Sequence, residues 1–338
     1  MYKRQILHDD SVTIVCETMG GVGAAYQFTK QALERGKSVC TSNKELVAKH
    51  GPELLQIARE HNCNYLFEAS VGGGIPIIRP LNYSLTAEKI EAINGILNGT
   101  TNYILSKMEK EGADFAAVLK EAQDKGYAER NPEADVEGYD ACRKIAILSS
   151  LMFSKNVDSE KVPTEGITKI TAADFEYANA TDHTIKLLGR SRAIDDNTAE
   201  VMVAPFLLSK EHPLAMVHGV FNAVFVTGNM LGDSMYYGRG AGKLPTASAV
   251  VSDVVDCARH QGKVIMCFWD KEEVKLADIG EAERSFFIRA KAGAEDAVTA
   301  AFPGGRMVHL KDRKEDFGYF TQLSLIHISE PTRLRRIS

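Results

Sequence analysis

The feature that most constrains the fold of this chain is an alternation of short apolar runs and amphipathic segments between residues 11 and 74. The runs VTIVCE, KSVCT and NYLFEAS are rich in β-branched and aromatic residues, which predicts three strands. The segments between them, AAYQFTKQALERGK and SNKELVAKHGPELLQIAREHN, have apolar residues at helical spacing. This alternation predicts an α/β fold with a parallel, doubly wound sheet.

Ligands of such sheets bind at the carboxyl ends of the strands, so the segments there are candidates for a binding site. These segments are Glu17 to Gly21, Thr41 to Lys44 and Ser70 to Pro76. Ser42 and Glu45 have the spacing of a capping box, which predicts that Ser42 is the N-cap of the second helix. Lys44 then lies in the first turn, where a cation opposes the helix dipole unless an anion or a substrate binds nearby. The alternative is an exposed surface lysine.

Two glycine-rich segments are also candidates for ligand contact. VGGGIP, after the third predicted strand, either offers main-chain oxygens to a cation or forms a tight turn. GRGAGKLPT precedes a predicted helix with Pro245 near its first turn. We do not interpret it as a P-loop, because Leu244 stands where a Ser or Thr should follow the Gly-Lys pair and no apolar strand leads into it. Such a turn can still lie over a cofactor at a helix N-terminus.

Beyond residue 80 the pattern becomes a mixture of strands and helices that extends to about residue 262. KIEAINGILNGTTNYILSKME leads from a strand through a polar turn into a helix, and AEVMVAPFLL and NAVFVTGN predict strands. After a linker, RSFFIRAKAGAEDAVTAAFPGGRMVHLKD predicts strand–helix–strand, the start of a small separate module over residues 280–322.

The stretch GYAERNPEADVEGYDACRK, residues 126–144, concentrates five carboxylates before an apolar helical pattern. Asp140 and Lys144 are four residues apart, so they can meet on one side of that helix. A lysine beside a carboxylate and an apolar stripe can act as a tuned proton carrier. The alternative is a lysine whose stem covers apolar surface and whose ammonium forms a weak helix ion pair.

Composition excludes several classes of protein. The chain has 338 residues, enough for about two domains, with 44% hydrophobic and 25% charged residues. A net charge of −5 and the absence of basic runs interleaved with aromatics argue against a nucleic-acid partner. No apolar run is long enough to span a membrane. The six cysteines are scattered without a C-x-x-C pair and the histidines lack metal-binding spacing, which predicts reduced thiols and a cytoplasmic protein.

The two ends of the chain are expected to be foreign to the rest. Residues 323–327, LSLIH, can be encoded by DNA whose reverse complement encodes MYKRQ, residues 1–5, with GTG as the start codon. One DNA element in opposite orientations therefore accounts for both ends, and the end of the chain resembles a sequencing adapter translated in frame. We therefore exclude residues 1–5 and 323–338 from the interpretation of the fold.

Taken in order, several motifs resemble those of homoserine dehydrogenases: GKSVCTSNKELVAKHG, FEASVGGGIPIIRPL, NGILNGTTNYIL, GYAERNPEADVEGYDACRKIAIL and YGRGAGKLPTASAVVSDVVD. The resemblance implies NAD(P)-dependent interconversion of L-homoserine and L-aspartate 4-semialdehyde, on the route to threonine and methionine. It also implies a partial NAD(P)-binding, Rossmann-type domain over residues 6–79 and an α+β catalytic and dimerisation domain over 80–262. The last helix of the second domain is expected to return to the cofactor domain, and residues 280–322 resemble a truncated ACT-like module.

The resemblance also implies roles for individual residues. The catalytic positions are Lys144, Lys44 and Asp140. The substrate positions are Glu129, Asp135, Asn98, Gly99, Thr100 and Tyr103, whereas Glu133 and Glu137 are expected to be solvated bystanders. The cofactor positions are Lys44, Gly240 and Gly242, to which the predicted strand ends add Thr41, Ser42, Gly20 and Gly21. Main-chain groups of Glu68, Val71, Gly73 and Ile75 match a monovalent-cation site, such as one for sodium.

Further expectations follow from the family. NADP is favoured over NAD as the cofactor, and the protein is expected to form a homodimer or a homotetramer. The family's first strand and glycine-rich phosphate turn have no counterpart in this sequence, so we expect the chain to bind NAD(P)H poorly and to aggregate. Two rival functions stay open: a semialdehyde dehydrogenase that acylates a cysteine, and an amino-acid-binding regulatory module without catalysis.

Overall fold

The computed structural model describes residues 2–280, 282–323 and 334–337. The helices are α1 Tyr2–His8, α2 Gly23–Leu33, α3 Lys44–Glu60, α4 Gly99–Glu111, α5 Phe115–Asp124, α6 Glu133–Val136, α7 Tyr139–Phe153, α8 Ala172–Ala180, α9 Lys243–Arg259 and α10 Glu295–Ala301. The strands are β1 Ile14–Glu17, β2 Ser38–Thr41, β3 Tyr65–Leu66, β4 Ile90–Ile96, β5 His183–Ala193, β6 Thr198–Ser209, β7 Phe221–Gly228, β8 Gly232–Arg239, β9 Lys275–Leu276, β10 Ser285–Lys291, β11 Arg306–Val308, β12 Asp316–Phe320 and β13 Leu334–Ile337. None of the described helices is long and apolar enough to cross a membrane.

A small parallel sheet forms the first unit of the fold and confirms the predicted α/β pattern. Its strand order is β1-β2-β3, with α2 and α3 as the connections. The central strand is fully buried, and Val39 at its middle pairs in parallel with Val15 and Tyr65. The third strand is shorter than the predicted NYLFEAS run, because the chain turns into a 3₁₀-helix at Glu68–Ser70.

A ten-stranded sheet forms the second unit. Its order is β11-β12-β10-β13-β6-β5-β4-β7-β8, and β9 pairs with β6. Strands β4, β5, β7 and β8 are antiparallel to their neighbours, whereas β6 is antiparallel to β5 and parallel to β13 and β9. Helix α7 packs across β4, β5 and β6 and also contacts α3 of the first unit. Almost every residue of α7 from Asp140 to Leu151 is buried. The helix that carries the predicted catalytic lysine is therefore a core helix rather than a surface one.

The turn after β3 is held by a buried network of charged groups. The Glu68 carboxylate accepts hydrogen bonds from the backbone N–H groups of Ile77, Ile78 and Arg79, at 2.7–2.9 Å. The Glu68 N–H donates in turn to Asp253 of α9, at 2.9 Å, and Arg79 forms ion pairs with Asp253 and Asp256. These contacts fix α9, and the glycine-rich turn before it, against the first unit.

Several sequence-based expectations are wrong in detail. The N-cap of α3 is Asn43 instead of Ser42, and its side chain accepts the Leu46 N–H at 3.1 Å. The acidic stretch contains one helical turn, α6. Strand β8 leads directly into the glycine-rich turn, but it is not the apolar strand whose absence argued against a P-loop. The sequence patterns also missed β5, β12 and α8. The side chains of β8 alternate between half-buried and exposed, so the strand has no continuous apolar run to detect.

The last described residues of the chain connect the predicted C-terminal module to the rest of the second unit. Strands β10, β11 and β12 of the predicted C-terminal module pair with one another, and β13 joins them to β6. Residues 2–5, which the sequence interpretation set aside, lie in α1, and 334–337 form β13. Residues 1, 324–333 and 338 lie outside the described part of the chain, and the foreign origin of both ends stays a prediction.

Candidate active site

A cavity of about 530 Å³ lies between the carboxyl edge of the small sheet and the second unit. Its walls come from the turns after β2 and β3, the N-terminus of α4, the acidic stretch before α7 and the glycine-rich turn before α9. Segments far apart in sequence thus converge, as expected of a site at the ends of parallel strands. The predicted residues that line the cavity are Lys44, Ser42, Gly73, Asn98, Gly99, Thr100, Glu129, Asp135, Asp140, Lys144, Gly240 and Gly242.

A second, larger cavity of about 790 Å³ lies between α3 and α7. Its walls carry charges of both signs, and two of them, Arg143 and Glu45, are 3.3 Å apart as an ion pair. It lacks both predicted catalytic lysines and Asp140. We therefore place the candidate active site in the smaller cavity, where unlike titratable groups converge.

Two lysines from different units share one carboxylate at the wall of the smaller cavity. Asp140 Oδ2 accepts from Lys144 Nζ at 2.6 Å, and Asp140 Oδ1 lies 2.8 Å from Lys44 Nζ. Lys144 also donates to the Leu97 carbonyl at 2.7 Å, so two of its three N–H bonds are used. Asp140 and Lys144 are buried, whereas Lys44 is half-buried at the first position of α3. The i, i+4 contact predicted from the sequence forms, and Lys44 joins it.

The surroundings fix the charge of two of these groups. Burial alone would raise the pKa of Asp140, but the adjacent Lys144 and Lys44 charges outweigh it and hold that pKa well below its usual range. Burial alone would lower the pKa of Lys44, yet the charge and hydrogen bond of Asp140 raise it above the ordinary value. Asp140 is therefore an anion and Lys44 a cation at neutral pH.

Asn98 connects the carboxylates of the acidic stretch to the start of α4. Its side-chain oxygen accepts the Thr101 N–H at 2.9 Å, which caps the helix. Its Nδ2 donates to Asp135 at 2.7 Å and to Asp140 at 2.9 Å. Burial and the charge of Asp140 raise the pKa of Asp135, and the hydrogen bond from Asn98 opposes that shift. The polar turn predicted from the sequence thus organises two acidic side chains.

Glu129 lies at the mouth of the cavity and is exposed. Its backbone carbonyl accepts a hydrogen bond from Gln123 at 3.1 Å, and within the described chain its carboxylate has no ion-pair partner. Glu133 is also exposed and Glu137 is half-buried, and both lie outside the cavity wall. An exposed carboxylate beside a cavity is available to a cationic group of a ligand.

The two glycine-rich turns touch each other. A Cβ on Gly73 would lie 2.4 Å from the Gly240 carbonyl oxygen, and Gly73 has a φ of +57°, so a side chain is excluded there. The Gly74 N–H donates to the Arg239 carbonyl at 3.1 Å. Of the two interpretations of VGGGIP, the tight turn is therefore present. The carbonyls of Val71, Gly73 and Ile75 accept no hydrogen bond from any described residue, and the cation site stays a prediction.

Seven predicted site residues lie outside the cavity wall: Tyr103, Thr41, Gly20, Gly21, Glu68, Val71 and Ile75. The Tyr103 hydroxyl donates to Glu121 at 2.8 Å, and its ring packs edge-on against Tyr127, which does line the cavity. Thr41 is buried and donates to Glu17 at 2.6 Å. Gly20 and Gly21 lie in the exposed turn after β1.

Sequence reasoning missed several residues of the wall. Arg239 lines the cavity, and its guanidinium lies 5.4 Å from the centre of the Phe221 ring without an ion-pair partner among the described residues. Gly126, Tyr127, Val220 and Thr246 also line it. A signal for Arg239 existed, because it directly precedes the glycine-rich turn. The aromatic ring beneath it comes from β7 and could not be foreseen.

Comparison with protein families settles what kind of chain this is. The family model described as homoserine dehydrogenase matches residues 76–255, more than half of the chain. The chain belongs to the homoserine dehydrogenase family. A second model, described as the NAD binding domain of homoserine dehydrogenase, matches residues 3–68. The resemblance read from the motifs is thereby confirmed.

Known homoserine dehydrogenases support this assignment in sequence and in structure. The enzyme of Synechocystis sp. is 51% identical over 254 residues, which are 74% of this chain and 59% of the length of that relative. The crystal structure from Thiobacillus denitrificans has 35% identity and a TM-score of 0.90, over 99% of this chain and 84% of that one. A hyperthermophilic archaeal homoserine dehydrogenase, solved in complex with NADPH, has 29% identity and a TM-score of 0.66, over 76% of this chain and 75% of that one.

The shared carboxylate predicts a large effect of Asp140→Asn on stability. The substitution leaves a buried and a half-buried ammonium group without their counter-charge, so we expect urea unfolding at pH 7 to give a free energy lower by about 3–5 kcal/mol. Because the folded-state pKa of Asp140 lies below its ordinary value of 3.8, the difference should be complete above about pH 4 and should shrink as the pH falls further.

Asp124→Asn is the matched control. Asp124 and Lys120 form an ion pair with the same four-residue spacing, but both side chains are exposed. Its loss should cost no more than about 0.5 kcal/mol. Equal effects of the two substitutions would contradict the account of the buried pair.

Proposed function

We propose that the protein to which this chain belongs interconverts L-homoserine and L-aspartate 4-semialdehyde with a nicotinamide cofactor. The observation that carries the proposal is the meeting of Lys44 and Lys144 on Asp140 at the wall of the cavity. The reaction needs a proton carrier and a fixed cation beside one oxygen atom, and this cluster offers both.

The two lysines are suited to different parts of the reaction. Lys44 stays charged, because Asp140 raises its pKa, so we assign it to stabilising negative charge on the reacting oxygen. Lys144 is more buried and keeps one N–H free, so we assign it to donating a proton to the aldehyde oxygen and to taking it back in the reverse direction. Asp140 is ionised, and each of its carboxylate oxygens contacts one of the lysines. Its role is to hold both ammonium groups in place.

The substrate is an amino acid, so its ammonium group needs an anionic partner. Glu129 at the mouth and Asp135 in the wall are the acidic groups that the lysines do not occupy. We assign the ammonium group to these two carboxylates. We assign the other end of the substrate to the cluster of Asp140 and Lys144.

A nicotinamide cofactor, when bound, supplies the hydride acceptor or donor. Lys44, Ser42 and the Gly240–Gly242 turn line the part of the cavity at the edge of the small sheet, so we assign them to holding the cofactor. The NADPH complex of the archaeal relative supports NADP as the cofactor. The free carbonyls of Val71, Gly73 and Ile75, with the Glu68 main chain, are assigned to a monovalent cation such as sodium.

The remaining expectations are retained as parts of the proposal. They are a homodimer or homotetramer, a cytoplasmic location and an ACT-like character of residues 280–322. Their support is the family assignment, the six free cysteines and the β10-α10-β11-β12 order of elements within that segment.

A cysteine-dependent semialdehyde dehydrogenase is the weaker candidate. The six cysteines, all within the described residues, lie outside the wall of the cavity. Burial also raises the pKa of Cys142, which makes a poor nucleophile. A regulatory module without catalysis remains the second alternative, and the substitution below separates it from an enzyme.

Lys144→Ala should lower turnover by roughly 10²-fold or more, because it removes the proton carrier. Homoserine affinity should change less, since the ammonium group of the substrate binds to other residues. The assay is NADP-dependent oxidation of homoserine, measured in this chain and in a fusion that supplies the family's N-terminal strand and glycine-rich turn. Turnover close to wild type would remove Lys144 from the mechanism, and no turnover in either wild-type form would favour the regulatory module.

Glu129→Gln should weaken homoserine binding by about tenfold while cofactor binding changes little, because it removes a charge opposite the ammonium group. Glu133→Gln is the matched control: it lies four residues away in the same acidic stretch but outside the cavity, and should be nearly silent. Calorimetric titration with L-homoserine measures both. A similar loss in the two variants would indicate a general effect of the acidic stretch.

A further inference from the structure

Asn222, the second residue of β7, is a buried polar residue with no hydrogen-bond partner for its amide. The side chain is 1% exposed, and neither Nδ2 nor Oδ1 finds a partner among the described residues. Asn64 is the contrasting case. It is 3% exposed, but its amide donates to the Lys263 carbonyl at 2.9 Å and accepts the Ile265 N–H at 2.7 Å.

An unpartnered amide in the interior has a cost in stability. Burying such a group without a hydrogen bond is unfavourable, and an apolar side chain of similar size avoids that cost. In the free protein the amide at position 222 forms no hydrogen bond with a described residue to offset this cost. A buried polar group without a partner requires a specific explanation. A role in the ligand-bound protein is one such explanation.

The amide lies between two turns of the candidate active site. A Cβ on Gly240, beside the expected cofactor, would lie 1.9 Å from Asn222 Nδ2. A Cβ on Gly99, at the start of α4, would lie 3.6 Å from Asn222 Oδ1 and 2.9 Å from the Val220 carbonyl oxygen. Gly99, Val220 and Gly240 all line the cavity. Asn222 thus supports both the substrate side and the cofactor side of the wall from behind.

We propose that Asn222 is a positioning residue that sets the spacing of the Gly99 and Gly240 turns and completes its hydrogen bonds when the site is occupied by an amino-acid substrate. The inference rests on the proposed function and adds a residue to it. The amide acts through the main chain of the two turns. When the ligand is bound, the two turns are arranged so that the Asn222 amide forms the hydrogen bonds that it lacks in the free protein. These hydrogen bonds stabilise the occupied state relative to the free state.

The test compares thermal unfolding of the chain with and without L-homoserine. Without ligand, Asn222→Leu should melt at or above the wild-type temperature, because it removes an unsatisfied amide. The matched control, Asn64→Leu, should melt lower, because it breaks two hydrogen bonds. With L-homoserine, the wild type and Asn64→Leu should be stabilised, whereas Asn222→Leu should bind the ligand about tenfold more weakly. Asn222→Ala, which is too small to press on Gly240, should show the same loss of affinity.

Each other outcome decides against the inference. If Asn222→Leu and Asn222→Ala both bind L-homoserine as tightly as the wild type, Asn222 has no positioning role. If the melting temperature of Asn222→Leu without ligand falls as far below the wild-type value as that of Asn64→Leu, the amide stabilises the free protein. If the wild type itself gains no stability from L-homoserine, the proposed function fails for this chain and the inference falls with it, whereas a failure confined to the Asn222 variants leaves the proposed function intact.

Discussion

The candidate site depends on one carboxylate that two ammonium groups share. Asp140 lies in the first turn of α7, where an anion also interacts favourably with the helix dipole. Lys144 reaches it from the next turn of the same helix, and Lys44 reaches it from the start of α3 in the other unit. The same ion cluster therefore holds the two units together at this point and fixes the geometry of the reacting groups.

The glycines around the cavity let the main chains of the walls approach closely. Gly73 against Gly240, Gly99 against the Val220 carbonyl and Gly240 against Asn222 leave no room for a Cβ. Behind them, Glu68, Arg79 and Asp253 tie the turn after β3 to α9. Because backbone groups rather than side chains face the cavity at these points, this part of the wall is suited to ligands recognised through N–H and C=O groups.

Local patterns predicted much of this arrangement. The strand–helix alternation predicted the small parallel sheet, and the four-residue spacing predicted the contact of Asp140 with Lys144.

The error at the N-cap of α3 has a tertiary cause. The Asn43 amide accepts the Leu46 N–H and also donates to the Met19 and Gly21 carbonyls, and a serine hydroxyl cannot make all three bonds. Nothing local to Lys44 indicates that its partner lies 96 residues further along the chain. Arg239 and Asn222 follow from the pairing of β7 with β8, and β8 lacks the apolar run by which strands are recognised.

Titration of the Lys44 ammonium group tests the central claim most directly. NMR of the chain with ¹³C-labelled lysine, assigned with a Lys44→Arg variant, follows that group in the wild type and in Asp140→Asn. The account predicts a pKa above the ordinary value of 10.5 in the wild type. It also predicts a lower pKa in the variant, because burial is then opposed only by the smaller effect of Asp135. A Lys44 pKa at or below 10.5 in the wild type, or one that Asp140→Asn leaves unchanged, would contradict the claim that one carboxylate holds both lysines.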